Sequence, residues 1–145
     1  MKRIILGFII LAATGIAAIS ALVAQDRDSP ALTGGPWGIE YIGDRGVIDR
    51  SPATLSFQPD GALAGNASCN RLVGEYTAGP GGAMELSPTA TTRMACLPAL
   101  MEQEQRLLAL LPEITRYEID RTGALVLTAP DGQTIRAHRR KDGAQ

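Results

Sequence analysis

Two cysteines, one histidine and a scatter of carboxylates are the side chains with which this chain could do chemistry. Cys69 and Cys96 make an even count, which favours a disulfide in an oxidising compartment. The bridge would close a loop of about 27 residues, worth ~3.5 kcal/mol on a loop-entropy argument. Two buried free thiols are the alternative. A metal site is not expected, because two cysteines and the distant His138 form no recognisable ligand set. His138 stands beside the basic run Arg139-Arg140-Lys141 and reads as a surface residue; the run itself reads as a solvated chain end. Glu102 and Glu104 are two apart on a helical stretch, so they face different ways and cannot share a proton-transfer task. No nucleophile setting and no Gly-x-Gly-x-x-Gly or phosphate loop is present, and Gly79 to Gly82 does not supply one. The expectation is a chain with no catalytic residue and no cofactor, not an enzyme.

The start of the chain points to a compartment. Met1-Lys2-Arg3 precedes an uncharged apolar run from Ile4 to Ala24, the parts of a secretory signal. Cleavage after Ala24 would put Leu22 at the −3 position. The run is also long enough, at ~30 Å as a helix, to cross a bilayer core, so an uncleaved signal-anchor stays open. Either way residues 1–24 export the rest to the periplasm or cell envelope, and the membrane is reached only through this segment if it stays. About 120 residues remain, enough for one ordinary domain. They carry 12 basic and 15 acidic residues, a balance unsuited to neutralising phosphates, so nucleic acid is not expected as a partner.

Gln25 to Pro36 is rich in Asp, Ser, Pro and Gly, and residues 25–34 read as a linker before a domain over 35–140 and a tail over 141–145. Within the domain, short apolar segments alternate with turn signals. Strands are expected over Trp37–Ile42, Ala53–Phe57, Ala62–Ala67, Arg71–Thr77, Met84–Leu86, Tyr117–Asp120, Ala124–Thr128 and Thr134–Ala137. Pro59-Asp60-Gly61, Arg121-Thr122-Gly123 and Pro130-Asp131-Gly132 turn the chain between them. The loop Ala78 to Gly82 is too rich in glycine for regular structure, and Ser87-Pro88 ends the strand after it. One segment differs: Leu97, Leu100, Met101, Glu104, Leu107, Leu108 and Leu111 recur at helical spacing, with Pro98 suited to the first turn and Pro112 to the end. The fold expected is α+β, a curled antiparallel sheet forming an incomplete barrel with one main amphipathic helix packed on it.

Two stretches carry more than turn chemistry. Gly65-Asn66-Ala67-Ser68-Cys69-Asn70-Arg71-Leu72-Val73-Gly74-Glu75-Tyr76 is one, and Thr91-Thr92-Arg93-Met94-Ala95-Cys96, followed by Pro98 and a Glu-bearing helix, is the other. With Trp37 ahead of them, their order resembles the META domain of HslJ-like proteins over Gly35 to about Arg139. Where that family usually has Ser-Gly before Cys-Asn, this chain has Ala67-Ser68, so a non-glycine residue must tolerate the turn. The motif reads first as scaffold: Gly65 and Gly74 allow close backbone approach, Asn70 holds a bend, and Tyr76 offers a ring to the core and a hydroxyl to a partner. The alternative is a recognition surface of Asn70, Arg71, Gly74, Tyr76 and Arg93. The resemblance implies a non-enzymatic envelope module linked to stress response or drug tolerance, binding an envelope protein or an apolar ligand between helix and sheet. A structural or inhibitory partner role through a sheet edge is the second reading.

Overall fold

Short turns and alternating burial build the sheet one hairpin at a time. A computed structural model describes residues 30–141; the expected export segment, 1–24, and the first part of the expected linker lie outside them. The strands are β1 (Trp37–Ile42), β2 (Arg45–Gly46), β3 (Thr54–Phe57), β4 (Ala62–Asn66), β5 (Arg71–Gly79), β6 (Ala83–Thr91), β7 (Arg116–Ile119), β8 (Leu125–Thr128) and β9 (Thr134–Arg139). A helical turn α1 (Pro30–Thr33) precedes them, and the main helix α2 (Pro98–Leu110) lies between β6 and β7. All pairings are antiparallel, in the order β2-β1-β3-β4-β5-β6-β7-β8-β9.

The barrel is closed, not incomplete. β9 runs on to Arg139 and pairs back onto β1, from Trp37↔Arg139 to Ile42↔Ile135. Eight strands thus form a ring, with the two-residue β2 as a hairpin flap on β1. Closure covers the backbone edges of β1 and β9 that an open sheet would expose. The contact spans about 100 residues of sequence, which is why local pattern did not reveal it. Of the basic run, Arg140 and Lys141 are exposed as expected, but Arg139 is no solvated residue. The Arg139 guanidinium lies 4.0 Å over the Trp37 ring, and it donates to the carbonyls of Gly35 and Ala31. Arg140 donates to the Ser51 carbonyl at 2.6 Å.

The interior is filled with aliphatic side chains. Leu55, Leu72, Leu107, Leu111, Leu125, Leu127 and Ile135 are fully buried, with Trp37 and Phe57 nearly so. Each such side chain contributes ~1.5–3 kcal/mol of transfer free energy. Leu32 of α1 joins them, and its carbonyl accepts the Trp37 indole N–H at 2.9 Å, so this part of the expected linker packs against the barrel.

The expected short strand at Met84–Leu86 is instead a nine-residue β6 that continues past Pro88. A register shift between Val73 and Gly74 of β5 lies opposite, with Gly74 facing Pro88 and Val73 facing Ala90. Gly74 is needed there: a Cβ would stand 2.4 Å from the Ser87 carbonyl oxygen. Gly65 is needed for the same reason, since its Cβ would meet the Thr54 oxygen at 2.1 Å. The glycine-rich loop is also shorter than expected, because β5 extends to Gly79 and Pro80–Gly82 form a 3₁₀ turn.

Helix α2 lies across the barrel end that gathers the β1–β2 turn, the β4–β5 turn and the β8–β9 turn. Its buried face is Gln103, Glu104, Leu107 and Leu110, followed by Leu111. The expected stripe was placed partly wrong: Leu97 is exposed, and Leu100, Met101 and Leu108 are only half-buried. Among the described residues no helix is long and apolar enough to cross a membrane.

Candidate functional site

Two neighbouring polar residues on the buried face of α2 define the site. Glu104 is only 7% exposed, so its carboxylate needs donors to offset the lost hydration. Three converge on it. The Cys69 and Asn70 backbone N–H groups donate to Oε2 at 3.0 and 2.7 Å, and the Asn70 amide donates from Nδ2 to Oε1 at 2.8 Å. Asn70 then passes the connection on, because its Oδ1 accepts the Met94 N–H at 2.6 Å and the Thr92 hydroxyl at 3.0 Å. Cys69–Cys96 is a disulfide, which fastens the same β4–β5 turn to the segment that enters α2.

Gln103 makes the second half of this clasp. Its Oε1 accepts the Ile48 N–H at 2.8 Å, while Nε2 donates to the hydroxyls of Ser51 and Ser68, both at 2.7 Å. Gln103 and Glu104 therefore hold the loops 47–51 and 67–70, and the second of these holds 92–96 through Asn70 and the disulfide. Ser68 sits at φ 130°, a left-handed-side conformation that disfavours a Cβ. Its N–H is held by Asn66 Oδ1 at 2.9 Å and its hydroxyl by Gln103, so local hydrogen bonds support the strained backbone.

The five residues considered as a recognition surface do not lie on one face. Asn70 is buried in the clasp, and Tyr76 is buried with its hydroxyl on the Gln58 carbonyl at 2.7 Å and its ring edge-on to Phe57. Gly74 lies against β6. Arg71 and Arg93 alone are exposed, close to each other through the Arg71–Thr92 backbone pairing. Met94 and Leu97, which follow Arg93 in the chain, are exposed as well. A cleft of about 430 Å³ opens here between β6 and α2, lined by Leu72, Pro88, Ala90, Thr91, Arg93 and Leu108. β6 has a registered strand neighbour on that side at Ala83 only, opposite Arg116. Proline suits such an edge, where a missing N–H breaks no ladder.

Elsewhere, Glu102 is exposed and pairs with Arg45 at 2.9 Å, well apart in role from Glu104. His138 Nδ1 lies 2.9 Å from Glu40 Oε2 at the surface. No group of three or more metal-ligating side chains occurs among the described residues. Asp120 is held far below the usual carboxylate range, first by the Thr122 hydroxyl, then by the Ala124 and Thr122 N–H groups and Arg136. Asp131 is lowered chiefly by the Gln133 N–H and side-chain amide. Burial lowers the Arg139 guanidinium.

Gln103 went unnoticed in the sequence, and Glu104 showed only as a polar exception in an apolar stripe. That exception was the available signal, since a carboxylate on a buried helix face requires partners.

The architecture is shared with solved structures. A protein from Burkholderia xenovorans, solved by NMR, matches with a TM-score of 0.62 and 24% identity over 77% of this chain and 86% of that one. A second NMR structure matches at 0.60 and 25% identity, covering 75% and 92%. The crystal structure of a duf4847 family protein from Bacteroides vulgatus matches at 0.58 and 15% identity, covering 77% and 96%, which is a likeness of fold alone. No curated protein matches the chain. The family match spans residues 30–142, nearly the whole region that holds the barrel, the clasp and the disulfide, and the chain belongs to the META domain family.

Proposed function

We propose that this META domain is a non-catalytic binding or assembly module of the cell envelope, acting on a protein partner through its outer surface. The observation that carries the reading is how the polar groups of the clasp are spent. Glu104, Gln103 and Asn70 direct their hydrogen bonds at backbone and neighbouring side chains, and so build a rigid frame rather than a reacting centre. The barrel interior is packed with core side chains, which argues against an acyl chain held inside it. Export through residues 1–24 is supported by their charge and apolar pattern, and by a Cys69–Cys96 bridge of the kind that persists in oxidising compartments. The proposal includes a link to envelope stress or drug tolerance, for which the family resemblance is the support.

The β6 edge favours a specific version of this reading, in which a partner's extended segment adds beside β6. The exposed Arg93, Met94 and Leu97 would contact its side chains. The test places a photo-crosslinking residue at Ala90, with a control at exposed Asp60, in cells making the full chain. A single stoichiometric protein adduct at Ala90 and none at Asp60 supports the proposal; no adduct at Ala90, or equal adducts at both, overturns the edge version.

A further inference from the structure

The oxidisable side chains of the domain reduce to one that solvent can reach. Both cysteines are consumed in the Cys69–Cys96 bridge, so no thiol among the described residues meets an oxidant first. The Trp37 ring is 1% exposed in the core. Of the methionines described, Met84 is 5% exposed and Met101 is half-buried on α2, whereas Met94 is 57% exposed. Thioether oxidation follows exposure.

The clasp keeps Met94 outside. Its N–H donates to Asn70 Oδ1 at 2.6 Å, and its carbonyl accepts from Asn70 Nδ2 at 3.5 Å. Two residues earlier, the Thr92 N–H donates to the Arg71 carbonyl at 3.1 Å; two residues later, Cys96 is tied to Cys69. With the backbone fixed before, at and after this position, the side chain cannot turn inward without breaking the clasp. Methionine is also a residue of adaptable protein contacts, where its flexible thioether fits a partner's surface.

We propose that Met94 is a reversible oxidation site, and that its oxidation state controls docking at the β6 edge. The control rests on the edge reading given above; the site does not. The oxidant is a peroxide. The Met94 sulfur lone pair takes one oxygen of hydrogen peroxide, the O–O bond breaks, the thioether loses two electrons to become a sulfoxide, and the second oxygen leaves as water. The reverse step is that of a methionine sulfoxide reductase: two thiols supply two electrons and two protons, join as a disulfide, and the oxygen leaves as water. The sulfoxide puts a polar S=O group where an apolar contact stood, which opposes burial against a partner. The fold is untouched, because the clasp uses the backbone of Met94 and not its side chain.

Peptide mapping by mass spectrometry, on the disulfide-bonded full chain in hydrogen peroxide, tests the site. Met94 should gain one oxygen about tenfold faster than Met84 and several-fold faster than Met101, with no change in melting temperature, and the reductase should remove it. Equal rates at Met94 and Met84, or unfolding when Met94 alone is oxidised, would overturn the site. The control is read from the photo-crosslink at Ala90 in envelope fractions, whose yield should fall several-fold in peroxide and return with the reductase. In Met94→Leu the yield should be the same before and after peroxide, which separates oxidation of Met94 from oxidation of the partner. An adduct that survives oxidation of Met94, or one lost equally in Met94→Leu, would overturn the control alone. No adduct in untreated protein would overturn the edge reading and the control together, and the mapped site would stand on its own rates.

Discussion

Exchanging the two polar partners at the centre of the clasp tests whether its hydrogen-bond directions are as described. In E104Q, the new side chain can turn its oxygen to the Cys69 and Asn70 N–H groups, but its NH₂ then faces the Asn70 NH₂. Asn70 cannot flip to help, because its Oδ1 already accepts from Met94 N–H and Thr92 Oγ1. Two buried donors left facing each other cost about 2 kcal/mol. In N70D, two buried carboxylates meet, and the cost is about 3 kcal/mol. The double variant N70D/E104Q makes every donor meet an acceptor again, because the new carboxylate accepts from the new amide and still serves Met94 and Thr92. Its stability should return to within about 1 kcal/mol of the parent, a coupling of several kcal/mol between residues in contact. Urea unfolding with the disulfide intact reads this directly, since 2 kcal/mol moves the midpoint by roughly 1 M at a slope of about 2 kcal/mol/M. Additive losses in the double variant, or no loss in E104Q, would refute the network.

Three further outcomes follow from single positions. Ser68 at φ 130° gives up its Gln103 hydrogen bond in both Ser68→Gly and Ser68→Ala, but only glycine relieves the backbone; the alanine variant should be less stable by about 1 kcal/mol on thermal melting. Gly65→Ala forces a Cβ against the Thr54 carbonyl, and should cost at least 2 kcal/mol (an estimate at the upper part of the ~1–3 range for overpacking) or abolish soluble folded protein. The lowered Asp120 stabilises the fold above its unfolded pKa of about 3.9, and that contribution fades as pH falls toward its folded value. Asp120→Asn should therefore lower the melting temperature at pH 7 and flatten the loss of stability between about pH 4 and 2; a parallel acid profile would contradict the assignment.

Local chemistry in the sequence was a good guide where neighbours in the chain are neighbours in the fold. The hairpins around Pro59-Asp60-Gly61 and Pro130-Asp131-Gly132 and the helix from Pro98 were legible because turn residues and helical spacing act over a few residues. The Trp, Cys-Asn and Thr-x-Met-x-Cys order carried the family, which covers residues 30–142. Barrel closure by β1 and β9 left no such trace, since it depends on partners a whole domain apart. The length of β6 was hidden because Pro88 signals a strand end, and only the bulge opposite Val73 and Gly74 lets the strand continue. Gln103 was missed for a related reason: its partners Ile48, Ser51 and Ser68 are distant in sequence, and a lone Gln on a helix looks solvated. Arg139 was misjudged because a basic run near a chain end gives no sign of the Trp37 ring beneath it.

A domain that works by its outer surface, with a filled barrel behind it, carries its partner outside the barrel. Native mass spectrometry of the full chain, isolated from envelope fractions after cross-linking through Ala90, tests that most directly. The prediction is a complex whose added mass is that of one protein, with the barrel carrying no acyl chain; a chain that comes away with bound lipid and no protein partner would contradict it.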